Sequence, residues 1–169
     1  MKTTIGVFKT HATAEKGLQE LKNSNINESD LSYLYKNDDG DVKDGQSGTK
    51  VATSTSIGAG TGAILGGIAG IIVANGIIPG LGTLIVAGPL AEALGIVTAT
   101  AVAGAGVGAA TGGLIGALTH YGVSTDDIHL YEEHVQKGGV LVIAKSEHGD
   151  VKEILERNEA HDINEYLLS

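Results

Sequence analysis

The sequence contains no cysteine and no tryptophan, and it has only one phenylalanine, one methionine and two prolines. The absence of cysteine excludes disulfide bonds and thiolate chemistry, although it does not by itself identify a cellular compartment. The most informative absence is one of charge, because Glu92 is the only charged residue between Val51 and Thr119. The chain therefore combines one long uncharged segment with two polar flanks, 1–50 and 120–169.

The charge balance also limits the partners that can be expected. The formal net charge is −9, and all 11 lysines and arginines lie in the flanks among a larger number of acidic residues. Binding of nucleic acid requires clustered Lys and Arg, so we expect no nucleic-acid partner, and no polybasic contact with lipid headgroups either. Residues 1–9 lack the apolar run of a signal peptide, so the expected location of the flanks is cytoplasmic.

The flanks show the periodicities of an α+β domain. In the first flank, residues 3–9 and 30–35 alternate as strands do, and a helix capped by Thr10 is expected between them, ending near Asn23. The linker that follows, 36–50, is polar and acidic.

The second flank repeats this order. A helix is expected after Ser124, the continuous apolar run 140–144 suits a central strand, and a helix over 150–160 precedes a last strand over 163–168. The two halves predict a discontinuous ferredoxin-like α+β sandwich made of 1–50 and 120–169, with 51–119 inserted between strands two and three as a Gly/Ala-rich helical hairpin.

Glycine recurs at every fourth position in two parts of this insert. Residues four apart share one face of a helix, so each set predicts a groove without side chains, about three turns long. Each glycine costs a helix roughly 1 kcal/mol relative to alanine, which is tolerable where another backbone packs into the groove. The sequence therefore predicts helix packing and self-association through eight glycines: Gly58, Gly62, Gly66, Gly70, Gly104, Gly108, Gly112 and Gly116.

Two uncharged spans, 57–79 and 95–119, are long enough as helices to cross a hydrocarbon core of about 30 Å. Between them we expect a bend or a surface-lying segment, marked by Pro79, Gly80, Gly88, Pro89 and Glu92. Two interpretations remain. Insertion into the membrane, or docking on it, is favoured by the length of the spans, with the Lys and Arg of the flanks keeping the domain in the cytoplasm at the inner face of the membrane. The alternative is a soluble homo-oligomer with the hairpins buried between subunits.

At this point the chain resembles a known family. The segment Tyr131–Val142, which reads YEEHVQKGGVLV, follows a Gly/Ala-rich insert containing the runs IPGLG at 78–82 and AGPL at 87–90. This arrangement is similar to the bacterial general stress protein 17M-like family, whose members are also called YflT-like or low-temperature-induced proteins. The resemblance implies a stress-response role, frequent membrane association and no enzymatic activity, and it supplies no catalytic residue. The acidic linker 36–50 departs from the family pattern.

Three patterns that suggest ligand sites are better explained in other ways. The chain has six histidines, but no paired spacing such as His-Glu-x-x-His, so we expect exposed helix histidines and no metal. The acidic residues 38–44 lack the glutamate that closes a calcium loop. The run 58–62 lacks the Lys-Ser/Thr ending of a phosphate loop, so no cofactor is expected.

The sequence thus predicts a non-enzymatic stress protein that associates with itself through the glycine ridges, with the lipid bilayer as a further partner. No nucleophile–base pair is suggested by spacing, and no small-molecule substrate is identified. A small-molecule sensor is a weaker alternative that rests on fold analogy alone.

Overall fold

The computed structural model describes residues 1–36, 73–78, 81–94, 113–147 and 150–167. The described part is an α+β structure with an antiparallel sheet, and the predicted fold class is confirmed at this level. Its strands are β1 (Lys2–Phe8), β2 (Leu31–Lys36), β3 (Val73–Ile78), β4 (Gly82–Ala87), β5 (Val140–Ser146) and β6 (His161–Leu167). Its helices are α1 (His11–Asn23), α2 (Pro89–Ala93), α3 (Gly113–Thr119), α4 (Thr125–Gln136) and α5 (Asp150–Arg157).

The six strands form one sheet in the order β3-β4-β2-β5-β1-β6. Every neighbouring pair is antiparallel; for example, Ile5 lies opposite Ile143 where β1 pairs with β5. The strands of the two flanks occupy the positions β2-β5-β1-β6, and the β3–β4 hairpin of the insert extends the sheet beyond β2. In the described part of the chain, β3 and β6 are the edge strands.

Helices cover both faces of the sheet, and the sheet separates two clusters of core residues. One face packs α1 and α5 against residues such as Phe8, Tyr33 and Val142. The other face packs α2, α3 and α4 against residues such as Val7 and Leu141. Strand β5 supplies core residues to both clusters, which explains why its sequence is continuously apolar. The prediction that 140–144 is a central strand is confirmed.

Local capping determines where the helices begin and end. The Thr10 and Ser124 side chains accept hydrogen bonds from the backbone N–H groups of Thr13 and Asp127, as the sequence predicts for N-caps. Helix α5 is shorter than predicted and ends at Arg157, because Glu159 adopts the left-handed conformation with φ 68°. The chain then enters β6 two residues earlier than expected, at His161.

The insert departs from the predicted helical hairpin. Residues 73–78 are a strand, so the prediction of a helix that continues to Pro79 is wrong there. The segment predicted as a bend contains β4 and α2, and it buries Leu84, Val86 and Leu90 in the core of the domain. Helix α3 buries Leu118 in the same cluster. The described parts of the insert are therefore built into the α+β domain.

Candidate functional site

Most of the predicted ridge glycines lie outside the described residues. This applies to Gly58, Gly62, Gly66, Gly70, Gly104, Gly108 and Gly112. Gly116 lies in α3 and is exposed. Gly113, the first residue of α3, has φ 53°, a value that a right-handed helix does not accommodate. The prediction of the two glycine ridges stays a prediction, since only Gly116 of the eight glycines lies among the described residues.

The predicted bend residues have a different role in the structure. Pro79 and Gly80 lie outside the described residues, whereas Gly88 and Pro89 connect β4 to α2 and Glu92 belongs to α2. At Gly88, φ is 77° and the backbone passes against the carbonyl oxygen of Leu31. Gly88 and the first turn of α2 therefore lie against β2.

The backbone of α2 is held by a buried contact with the sheet. The Leu90 N–H donates to the Ser32 hydroxyl oxygen at 3.2 Å, and Ser32 is 2% exposed. This hydroxyl satisfies an N–H group in the first turn of α2 that has no partner within the helix. The contact fixes where α2 begins relative to β2.

The described ends of the glycine-rich segments lie around α2. Val73 lies opposite Ala87, next to the start of α2, and Leu94 follows its last residue. Helix α3 begins at Gly113 and packs against α2, with Leu94 and Leu114 in one core cluster. The described residues that adjoin these segments, Val73, Leu94 and Gly113, therefore lie in one region of the domain.

A separate cluster of polar side chains joins the last turns of α4 to the start of β6. His134 Nε2 lies 2.8 Å from Asp162 Oδ2, and His161 Nε2 lies 3.7 Å from the same oxygen. The two imidazole rings meet edge to face, with centroids 5.0 Å apart. One potential ligand atom from each of the three residues lies within 4.8 Å of the other two.

The backbone of β6 explains how two consecutive residues both reach this cluster. Asp162 has φ 49°, and the register between β1 and β6 shifts between Ile5 and Val7. A bulge interrupts the alternation of side chains that a regular strand would impose. Asp is one of the few residues that adopts the left-handed conformation at modest cost.

One ring nitrogen of His161 is buried. This atom, Nδ1, has no hydrogen-bond partner among the described residues. Burial lowers the pKa of His161, nearby His134 and Lys9 lower it further, and the Asp162 carboxylate opposes the shift. These influences favour the neutral imidazole, which has a lone pair for a ligand.

A chain of hydrogen bonds lies beside the histidines and connects α4 to β6. Asn164 Nδ2 donates to Tyr131 Oη at 3.0 Å, the Tyr131 and Tyr166 hydroxyls lie 3.0 Å apart, and Tyr166 donates to Asp127 Oδ2 at 3.1 Å. Because Tyr166 donates to Asp127, Tyr131 donates to Tyr166. Burial, together with Tyr131 and Asp127, raises the pKa of Tyr166, so it is a neutral donor at physiological pH.

We expect Tyr131→Phe to destabilise the fold by about 1–2 kcal/mol, because it leaves the part-buried Asn164 amide without its acceptor. Urea unfolding measures the change. His129→Ala, on the exposed side of the same helix, serves as the control and should change stability by less than about 0.5 kcal/mol. A Tyr131→Phe/Tyr166→Phe cycle should show coupling above about 0.5 kcal/mol. Strict additivity of the two changes would contradict the shared network.

The sequence did not single out the histidine cluster. It predicted exposed helix histidines, and this holds for His129, whose side chain is 60% exposed. His134 and His161 are instead partly buried and meet across α4 and β6. One sequence signal for the cluster was the presence of histidines near the predicted ends of helices and strands. The number of residues between His134 and His161 matches no spacing typical of metal ligands. The prediction that the chain holds no metal stays a prediction.

The structure defines an α+β protein with helices on both faces of an antiparallel sheet. Comparisons of the chain with family models, with curated proteins and with solved structures give no match. The resemblance to the general stress protein 17M-like family therefore stays a prediction. Among the residues that the structure describes, no helix has both the length and the apolar character needed to cross a membrane.

Proposed function

We propose that this chain is a non-enzymatic protein of the general stress protein 17M-like type, with a ferredoxin-like core that presents two glycine-rich segments for self-association. The strand order β2-β5-β1-β6 supports the ferredoxin-like assignment, since it is what two interleaved strand–helix–strand units produce. Helices α1 and α5, which connect those strands, pack on the same face of the sheet. The β3–β4 hairpin and the layer of α2 and α3 are additions to this core.

The observation that carries the proposal is the convergence of the glycine-rich segments at α2. Residues 57–72 reach the domain at Val73, beside the start of α2, and residues 95–112 run from its end to α3. Both segments repeat glycine at every fourth position. Segments that adjoin the domain at neighbouring residues can pack their glycine faces together, and those of a second copy can join them.

The β3 strand supports an interface on the same side of the domain. It is an edge of the sheet, and its sequence VANGII has no charge and no proline. Natural proteins usually protect an exposed edge with charge, proline or a covering segment. Among the described residues no strand pairs with the outer side of β3, and a second copy of this chain can cover it.

The position of the predicted bend favours a soluble oligomer over a membrane-spanning hairpin. Residues 81–94 are built into the core, so each glycine-rich segment must return to the domain from which it left. Crossing a bilayer and returning needs roughly 40 apolar residues. The uncharged runs 51–72 and 95–112 contain 22 and 18 residues. We therefore favour a cytoplasmic homo-oligomer in which these runs are buried between subunits.

Docking on the inner face of the cell membrane is a second candidate. It is favoured by the complete lack of charge in the runs 51–72 and 95–112. Because their described ends lie on one side of the domain, both runs can enter the same leaflet without crossing it. The acidic flanks predict a preference for neutral over anionic lipid.

The test of self-association is the double substitution Gly66→Leu with Gly112→Leu, assayed by light scattering after size-exclusion chromatography without detergent. Leucine fills the grooves, so we expect the mass to fall to that of the 17.1 kDa monomer. The matched control is Gly66→Ala with Gly112→Ala, which keeps the grooves shallow and favours helix by roughly 1 kcal/mol per site. An unchanged mass in the leucine variant, or a monomeric wild type, would contradict the proposal.

Vesicle flotation separates the two candidates. A protein that docks on membranes should float with neutral phosphatidylcholine vesicles and float less with vesicles that contain phosphatidylserine. A soluble oligomer should stay at the bottom of the gradient with both. Flotation of the wild type with neutral vesicles would replace the first candidate by the second.

A further inference from the structure

We propose that His134, His161 and Asp162 bind a divalent transition-metal ion of the zinc type. The three residues provide two imidazole nitrogens and one carboxylate oxygen, all within 4.8 Å of one another. Three protein ligands with a fourth position left to water are a recurrent arrangement around zinc. The side chains of His134, His161 and Asp162 are 26%, 29% and 37% exposed, so an ion can enter from solvent.

The distances are close to those that a bound ion requires. Zinc binds nitrogen and oxygen donors at about 2.0–2.2 Å, and a tetrahedral arrangement places such donors about 3.4 Å apart. The observed distances from Asp162 Oδ2 are 2.8 Å to His134 Nε2 and 3.7 Å to His161 Nε2. These values lie on either side of the required separation. All three ligand atoms lie within 4.8 Å of one another, so the donors need to close in by at most about 1.4 Å to surround one ion.

The donor set also indicates which ions fit. Imidazole nitrogen suits zinc, copper, nickel and iron, whereas magnesium and calcium prefer sites made entirely of oxygen. Two of the three donors here are imidazoles. We therefore expect zinc to bind and magnesium to fail to compete with it.

The two nitrogens of His161 differ in their surroundings. Nδ1 is buried and has no hydrogen-bond partner among the described residues, whereas Nε2 lies 3.7 Å from Asp162 Oδ2. Nε2 is therefore the atom of His161 that would bind the ion, as Nε2 is for His134.

A simpler explanation is a hydrogen-bonded ion pair between His134 and Asp162. A protonated His134 in the last turn of α4 would also interact favourably with the helix dipole. His161 Nε2 also lies 3.7 Å from Asp162 Oδ2, and its ring lies 5.0 Å from that of His134, so one carboxylate faces two imidazoles. A metal ion accounts for all three residues, because it attracts both imidazoles to one point.

The effect of the ion would be to fasten the edge strand β6 to α4. His134 lies in α4, while His161 and Asp162 lie at the start of β6. The hydrogen-bond network of Tyr131, Tyr166 and Asn164 joins the same two elements, and the Tyr131 hydroxyl lies 3.5 Å from the backbone carbonyl oxygen of Asp162. An ion that binds the folded chain but not the unfolded chain raises the midpoint of thermal unfolding.

The experiment uses the full chain without an affinity tag, stripped with EDTA and titrated with Zn²⁺ by calorimetry. We expect one ion per chain and a rise of about 5 °C in the melting midpoint at saturation. His134→Ala and Asp162→Asn should each weaken the affinity more than the ~10–100-fold typical of losing an outer-shell partner. Asn tolerates the left-handed backbone at position 162, so this variant keeps the fold.

The matched control is His129→Ala, which removes an exposed histidine of the same helix and should leave zinc affinity unchanged. Nitrogen chemical shifts of the imidazoles identify the ligands directly, and on addition of Zn²⁺ those of His134 and His161 should move. The proposal is overturned if the wild type binds no zinc, if His134→Ala and Asp162→Asn bind it as the wild type does, or if the shifted signals belong to other histidines. An equal loss of zinc affinity in His129→Ala would overturn the proposal as well.

Discussion

Gly88→Ala is expected to destabilise the domain by more than ~4 kcal/mol, which is an exceptional effect for one methyl group. A Cβ at this position would overlap the carbonyl oxygen of Leu31 and approach the Ser32 hydroxyl to 3.0 Å. Relief requires α2 to move away from β2, which removes the hydrogen bond from Leu90 to Ser32 and exposes Leu90. Urea denaturation followed by circular dichroism measures the loss.

Gly82→Ala is the matched control for this substitution. Gly82 has φ 83°, close to the 77° of Gly88, but a Cβ there meets nothing within 4 Å. It should cost only the roughly 1–2 kcal/mol of a left-handed alanine. Equal effects at the two positions would show that backbone conformation alone explains the loss, and that the close approach to Leu31 does not matter.

The elements that sequence reasoning predicted well are those determined by local physics. Ser124 caps α4 because its hydroxyl accepts from the Asp127 N–H, and both residues are visible as a short pattern. Gly138, with φ 90°, ends the helix in the manner expected of glycine. Strand β5 follows from a continuous apolar run, because helices cover both faces of its sheet.

The β3–β4 hairpin was missed because its pairing partners are distant or ambiguous in the sequence. A short apolar run is compatible with either a helix or a strand, and 73–78 continued an uncharged stretch already assigned to a helix. Its membership of the sheet depends on β4 pairing with β2, from Tyr33 opposite Ala87 to Lys36 opposite Leu84. Periodicity within a window does not contain this information.

The histidine cluster was missed for a different physical reason. His134 lies near the end of a helix, and His161 precedes Asp162 at the start of a strand that was predicted to begin later. The side chains meet because of the left-handed backbone of Asp162 and the bulge opposite β1. Neither feature leaves a recognisable pattern, since Asp is common in many loop conformations.

Replacing residues 95–112 by a six-residue Gly-Ser linker should abolish self-association and leave the domain folded. Helices α2 and α3 pack against each other, and Leu94 and Leu114 share one core cluster, so a short linker can join them. Shortening this connection from 18 to six residues lowers the entropic cost of loop closure by about 1 kcal/mol. We expect one cooperative unfolding transition at unchanged or higher stability, with a monomeric mass by light scattering.

Replacing the acidic linker residues 38–46 by a neutral Gly-Ser segment of equal length is the matched control, and it should keep the oligomer. The two outcomes separate packing between copies from packing within one chain. If the shortened chain unfolds, residues 95–112 stabilise their own domain and the convergence at α2 has an internal cause. If it stays folded and assembled, the segment 57–72 or the β3 edge is sufficient for association, and the second glycine set is not part of the interface.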